Sequence, residues 1–456
     1  MSPERVVVVG GGVSGATSAL ALADAGHAVL LLEKRPFLGG RAFSFHEKAS
    51  GMAVDNGQHA LLGCYHETLA LLSRVGVTDR LYCQPGIELE IREAGGRAML
   101  SAGRFPAPLH LLRALLPFSL LTVGERVQAA RGALALVLRA WRRPEELAKE
   151  TVEEALMRAG QSERVREVLW YPVALAALND DPRTSAATLF VEVVRRAFLG
   201  RAADAAIVLP AVPLSDLFGK PVAAALRAAG VEVRTGCVAS GIALDEKGRV
   251  VTLRMQDGEE ISCRGLIMAL PPSALLRLRV ADQKIADAIG GLSEDLRETA
   301  PIVSTHVRLP APVDLPAIVG LLGTVTHWVF NADKIRQDRG DGSGLLSCVT
   351  SGARELDGVS DTEVKLIVER ELRELLPEVP GISAERMHVV RERQATMAPT
   401  PEAHACRPTV DTKLPGLFLA GDWVQTGLPA TLEGAALSGR LAAEALDSWV
   451  SAERNL

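Results

Sequence analysis

Three glycines and a carboxylate stand at the spacing that holds a dinucleotide. Gly10, Gly12 and Gly15 form a GxGxxG run with Ser14 inside it, and Glu33 closes the next apolar stretch. Gly10 suits a tight turn, Gly12 lets backbone approach a pyrophosphate, and Gly15 lets a helix pack closely on a strand. The N-terminus of that helix favours an anion. A carboxylate at Glu33 accepts both hydroxyls of an adenosine ribose and repels a 2′-phosphate, which argues against NADP. Lys34 then leads to Gly39-Gly40-Arg41. This second glycine pair brings backbone against the same pyrophosphate and delivers a guanidinium to it, so the ligand reads as FAD rather than NAD.

The elements that must position these groups are legible in the pattern. An apolar strand at Val6 to Val9, an Ala/Leu-rich helix and a strand from Ala28 to Leu32 form a βαβ unit. Near the other end, Leu414 to Leu419 reads as a short strand entering Ala420-Gly421-Asp422-Trp423, and Gly427 to Ala435 opens a helix running to Leu446. Gly421 permits close approach, and Asp422 accepts a bond from a cofactor hydroxyl. The amides near Thr431 and Leu432, at the positive end of that helix, suit the N1/O2 edge of an anionic reduced flavin. In between, Val231 to Arg234 leads to Val238, and Val250 to Met255, Ile261 to Cys263 and Gly265 to Leu270 alternate with turns at Asp245 to Arg249 and Gln256 to Glu259. The expected fold is α/β. A Rossmann-like FAD-binding domain is assembled from discontinuous segments 1–80, 215–290 and 391–456. An α+β substrate domain takes 81–214 and 291–390, with a helical, membrane-associated subdomain at about 104–143.

Composition narrows the class. A chain of 456 residues with 48% apolar content buries a large core in two or three domains. A net charge of −5 and 4% aromatic residues give no platform for nucleic acid. Cys64, Cys83, Cys237, Cys263, Cys348 and Cys406 are scattered without CxxC or metal-ligand spacing, so no metal is expected and the thiols fit a reducing compartment. The first helix is apolar, but Glu4 beside Arg5 and the interrupting glycines do not make a secretory signal.

Gly10 to Gly15, Glu33, Gly39-Gly40-Arg41, Val238 and Gly421-Asp422 together resemble the FAD-dependent amine oxidase and phytoene desaturase superfamily. Val54 to Tyr65, Ala177-Leu178-Asn179, Trp328 to Asn331 and Gly421 through Ala435 are similar to its squalene-associated branch, the hydroxysqualene dehydroxylases. The resemblance runs over nearly the whole chain. It implies reductive removal of the hydroxyl of hydroxysqualene to give squalene, a step in hopanoid or carotenoid precursor synthesis. It also implies cofactor contacts at Gly57 and Gln58, because the superfamily's equivalent loop passes beside the isoalloxazine, and at Val238. Two other readings stay open: oxidative desaturation of a carotenoid or other isoprenoid, and binding of a prenyl lipid without catalysis.

An allylic hydroxyl leaves poorly unless protonated, so the implied reaction needs an acid. His59, in Asp55-Asn56-Gly57-Gln58-His59, titrates near neutrality and is the first candidate, against a structural histidine bonded to loop carbonyls. Asp55 reads as a turn former. Tyr171 and Asp180 are reserves, Asp180 because paired carboxylates raise one pKa, although Asn179 to Pro182 also reads as a cap or turn. Between Arg104 and Arg143, seven arginines (104, 113, 126, 131, 139, 142, 143) accompany leucines 109, 111, 112, 115, 116, 120 and 121 and only one acid, Glu125. That reversal suits an anionic bilayer, against a buried helical subdomain with solvated arginines. The uncharged stretch Ala114 to Gly124 contains Pro117 and falls short of the roughly 20 residues that span a membrane. The expected location is cytoplasmic, peripheral on the inner face of the cytoplasmic membrane. Only one dinucleotide unit is present, so the electron donor has no site of its own in the sequence.

Overall fold

The computed structural model describes residues 5–46, 53–102, 113–281, 293–336 and 342–454. Val6–Val9 is four β-branched residues, all buried. Such a strand belongs at the centre of a parallel sheet covered on both faces. The sheet runs Glu232–Thr235, Val29–Glu33, Val6–Val9, Gly265–Met268 and Leu417–Leu419 in spatial order, with every neighbouring pair parallel. Strands from the beginning, middle and end of the chain therefore meet in one sheet. The helix Val13–Asp24 packs on the helix Leu432–Arg454, where Ser18 Oγ donates to the Gly439 carbonyl at 2.8 Å. A Cβ at Gly439 would lie 2.2 Å from the Ser14 carbonyl oxygen, so this crossing depends on that glycine.

Two local expectations need correction. The last helix begins at Leu432 rather than at Gly427 and continues to Arg454, because Thr431 Oγ1 takes the Gly434 amide at 3.2 Å and caps it there. Val238 is in no strand: it lies between Glu232–Thr235 and Ala239–Leu244, and its carbonyl accepts the Gln256 amide at 2.8 Å.

A second, seven-stranded sheet has the order Met387–Met397, Thr299–Leu309, Gly344–Ser351, Trp328–Asn331, Ile318–Leu321, Glu88–Glu93, Gly96–Ser101. The boundary expected at 391 falls inside its first strand. Alternate residues face opposite ways, so Ile318, Phe330 and Val349 pack under the helices Val123–Arg142, Val152–Arg158, Tyr171–Leu178 and Ala187–Leu199, while Val303, Val307 and Leu346 pack under Asp361–Leu375. Capping boxes at Thr122/Glu125, Thr151/Glu154 and Ser360/Glu363 set where three of these helices start.

Burial holds His306, His327 and His404 at a pKa of about 4. An unfolded histidine titrates near 6.5, so the unfolded chain binds more protons between about pH 4 and 6.5. The stabilisation from keeping these rings neutral is complete above pH 6.5 and is lost as pH falls toward 4. For His306 and His327 this predicts a loss of roughly 2 kcal/mol each between pH 7 and pH 5. Urea unfolding at the two pH values tests it; equal midpoints would contradict the shifts.

Candidate active site

The first glycines act as their spacing predicts, each for a different steric reason. Gly10 has φ +110°, and a Cβ there would lie 2.2 Å from the Ala269 carbonyl oxygen. A Cβ at Gly15 would lie 1.9 Å from the Gly10 oxygen, so Gly15 serves the helix–strand contact and does not line the cavity. Gly12 is different: its backbone is extended (φ −78°, ψ −174°) and a Cβ would meet only Gly40 Cα, at 3.7 Å. The space beyond it opens into the cavity. The buried Glu33 carboxylate is aimed by two backbone amides, Gly11 at 2.7 Å and Arg35 at 2.8 Å, while Lys34 is exposed at the rim. Arg35 Nη1 donates to the Gly40 carbonyl at 2.8 Å, and its guanidinium lies 4.9 Å from the centre of the Phe43 ring.

A cavity of about 1220 Å³ opens from this cradle. Gly10, Gly12, Ser14, Glu33, Lys34, Gly40, Arg41, Gly57, Gln58, His59, Val238, Gly421, Asp422, Thr431 and Leu432 all line it. Arg41 and Asp422, read separately from the sequence, are bonded to each other at 2.6 Å, and Arg41 also donates to the Ala395 carbonyl at 2.6 Å. The loop carrying Gly421 and Asp422 is held by buried Arg407, which donates to the carbonyls of Asp422, Trp423 (2.9 Å) and Leu428 (2.5 Å). Burial lowers the Arg407 pKa to about 10, so it stays charged at neutral pH. Glu433, in the first turn of the last helix, accepts the amides of Glu67 (3.1 Å) and Thr68 (2.9 Å) and so caps the helix His66–Arg74. Arg35, Arg407 and the Asn56–Glu392 bond at 2.7 Å went unread in the sequence. Nothing local distinguishes an arginine whose partners lie in distant loops.

His59 lines the cavity with Nδ1 bonded to the Gly57 carbonyl at 2.8 Å. That bond leaves Nε2 without a protein partner among the described residues. Burial lowers the His59 pKa, opposed by the Gly57 bond and the Asp55 charge, with Arg41 lowering it further. The resting ring is therefore neutral, with a proton on Nδ1 and a lone pair on Nε2. Asp55 is buried and accepts Ser44 Oγ at 2.6 Å and the Leu214 amide at 3.0 Å, which ties the loop to its surroundings.

The two reserve acids do not reach the cavity. Tyr171 donates to Glu153 at 2.6 Å and accepts Arg166 Nε at 3.2 Å, facing away from the cavity wall, and burial pushes its pKa up to about 12. Asp180 is 1% exposed and ion-paired with Arg354, which also reaches Glu298 at 3.4 Å. It is a neutralised structural carboxylate, and its neighbour Asn179 is the residue on the cavity wall.

Beyond the cradle the walls turn apolar: Leu169, Trp170, Val173, Ala177, Ile302, Trp328, Phe330 and Val349. Ala129, Ala130, Ala133, Leu134 and Val137 add one face of the helix Val123–Arg142. On that helix Val123, Val127, Leu134, Leu138 and Trp141 form an exposed apolar line, with Leu134 62% and Trp141 79% exposed. Leu134 belongs both to this line and to the cavity. The arginine reading changes here: Arg139 binds Glu150 at 2.8 Å, Arg143 binds Glu146 at 3.3 Å, and Arg126 is bonded to the Leu121 and Leu116 carbonyls. Acids from outside the stretch match Arg139 and Arg143, and Arg131 and Arg142 are the exposed arginines of the helix that keep their charge toward solvent. Arg104, Leu109, Leu111 and Leu112 lie outside the described residues. No helix among the described residues is long and apolar enough to cross a membrane.

A dinucleotide cradle of this form, with Gly12 leaving room for a pyrophosphate, Glu33 aimed from the strand end and a helix N-terminus at Leu432, fits FAD and defines a flavin-dependent oxidoreductase. The family model for flavin-containing amine oxidoreductases matches residues 13–447, and the chain belongs to that family. It is 30% identical over 445 residues to the hydroxysqualene dehydroxylase of Rhodopseudomonas palustris, covering 97% of this chain and 98% of the relative. It is 25% identical over 478 residues to the 15-cis-phytoene desaturase of Solanum lycopersicum, covering 97% and 78%. Among solved structures, the cyclohexylamine oxidase of Brevibacterium oxydans superposes with a TM-score of 0.69 at 17% identity, covering 98% of this chain and 100% of that one, a likeness of fold.

Proposed function

We propose that this enzyme reductively dehydroxylates hydroxysqualene to squalene, in the synthesis of hopanoid or carotenoid precursors. One observation carries the reading: a single cavity runs from the dinucleotide cradle into a chamber walled by hydrocarbon side chains. A relative of matching length named for that reaction supports it. The reaction takes R–OH, a proton and a hydride to R–H and water. The bound flavin supplies the hydride. The chain's residues do the rest. The apolar walls exclude water from a developing allylic cation, the Arg41–Asp422 pair and the first turn of the last helix fix the cofactor, and His59 Nε2 takes up a proton and passes it to the hydroxyl. Incubation of reduced holoenzyme with hydroxysqualene should yield squalene by mass spectrometry; recovery of unchanged alcohol would reject the reading.

The 25% identity to a phytoene desaturase supports a second reading, the oxidative direction on a carotenoid precursor. Both substrates are long isoprenoids carried in lipid. The exposed apolar line beside the cavity, flanked by Arg131 and Arg142, supports docking on the anionic inner face of the cytoplasmic membrane. Wild type should float with anionic liposomes, less so at high salt. Trp141→Ala with Arg131→Glu and Arg142→Glu should lose flotation by several-fold while keeping its flavin. Equal flotation of the two proteins would remove this surface from the proposal. The electron donor is external and unidentified.

A further inference from the structure

The chamber has a polar corner built from three distant parts of the chain. Asn179 ends the helix Tyr171–Leu178 in the left-handed region (φ 59°), and no other non-glycine residue among those described has a positive φ. Asparagine tolerates that conformation best, and its side chain is locked there. Nδ2 donates to Thr396 Oγ1 at 3.0 Å and to the Ala300 carbonyl at 3.3 Å, while Oδ1 accepts the Gly352 amide at 3.3 Å.

The other two members flank one strand, on either side of an irregularity between Ala300 and Ile302. Ser351 pairs with Ile302 on one side of the Thr299–Leu309 strand, and Thr396 pairs with Ala300 on the other. Ile302, Ser351, Thr396 and Asn179 all line the cavity. Ser351 is 8% exposed, its amide donates to His327 Nδ1 at 3.1 Å, and its Oγ has no hydrogen-bond partner among the described residues. Thr396 Oγ1 accepts from Asn179 and keeps its own hydrogen to donate. Arg41 bonds the carbonyl of Ala395, the residue before Thr396, so the corner adjoins the cofactor half of the cavity. A nearly buried hydroxyl without a partner is costly unless a ligand or water satisfies it.

We propose that Ser351 Oγ, with Thr396 and Asn179 beside it, is the seat for the single oxygen of an otherwise hydrocarbon ligand. The assignment rests on the isoprenoid-alcohol reading of the same cavity and deepens it: it names the residues that distinguish the alcohol from the hydrocarbon product. A site built to bond a hydroxyl discriminates against the analogue that lacks it.

The test is binding rather than turnover. Oxidised holoenzyme is titrated with hydroxysqualene and with squalene in the same detergent, following the flavin spectrum. Wild type should prefer the alcohol; Ser351→Ala should cut that preference by about 3- to 10-fold with the affinity for squalene unchanged, and Thr396→Val should cut it too. Ser351→Ala removes a group that bonds nothing in the protein, so it should fold. A wild type that does not distinguish the two ligands, or a Ser351→Ala protein that keeps the full preference, would overturn the seat. Loss of turnover alone would strike the proposed reaction and leave the binding preference to be read separately.

Discussion

Gly12→Val should fold normally and lose its flavin. The Gly12 backbone is extended, a conformation valine adopts readily, and the nearest protein atom to an added Cβ is Gly40 Cα at 3.7 Å. The isopropyl group therefore projects toward the cavity, where the pyrophosphate is expected. Losing two amide bonds to a pyrophosphate, at about 1.5–3 kcal/mol each, weakens binding by roughly 10²- to 10⁴-fold. Absorbance of the purified protein near 450 nm against protein concentration reads the occupancy, and circular dichroism reads the fold. Full occupancy in a folded Gly12→Val protein would displace the pyrophosphate from this turn. Glu33→Ala is a less clean probe, because it also strands the Gly11 and Arg35 amides. Gly15→Val is not a ligand probe at all, given the 1.9 Å clash with the Gly10 carbonyl.

His59→Ala should keep bound flavin and lose dehydroxylation by about 10²- to 10⁴-fold, the range for a positioned general acid. The pH profile sharpens the test. His59 has a folded pKa below its ordinary value, so the protonated, donating form is abundant only at pH values below about 6.5. When chemistry limits the rate, log kcat should fall as pH rises through that lowered pKa, and His59→Ala should lack this limb. A variant turning over at the wild-type rate with the same profile would remove His59. Neither reserve lines the cavity: Tyr171 is bonded to Glu153, and Asp180 is ion-paired with Arg354.

What the sequence made legible is what steric rules dictate locally. GxGxxG, Glu33 and Gly39-Gly40 announce themselves because only glycine tolerates the backbone and contacts at Gly10, Gly15 and Gly39, and because strand and helix periodicities flank them. Paired carboxylates at Asp180-Asp181 were ambiguous, a cap or turn as well as a reserve acid, for the opposite reason. Which of them is buried, and that Arg354 neutralises it, depends on a contact 174 positions away. The arginine count in 104–143 was incomplete for a similar reason, since Glu146 and Glu150 lie just beyond the stretch and fold back onto Arg143 and Arg139. Arg407 was silent: an isolated arginine before a proline gives no sign that three loop carbonyls converge on it. Ser351 gave no signal either, and its meaning comes only from strand register and from the apolar wall around it.

Direction and substrate are decided together by one anaerobic single-turnover experiment. Chemically reduced holoenzyme, free of excess reductant, is mixed with hydroxysqualene while the flavin spectrum and the lipid products are followed. The flavin should reoxidise in one phase with the release of one squalene per flavin, and 15-cis-phytoene mixed with oxidised enzyme should leave the spectrum unchanged. Flavin that stays reduced beside unconsumed hydroxysqualene, with phytoene reducing the oxidised enzyme instead, would contradict the assignment and make the protein a desaturase.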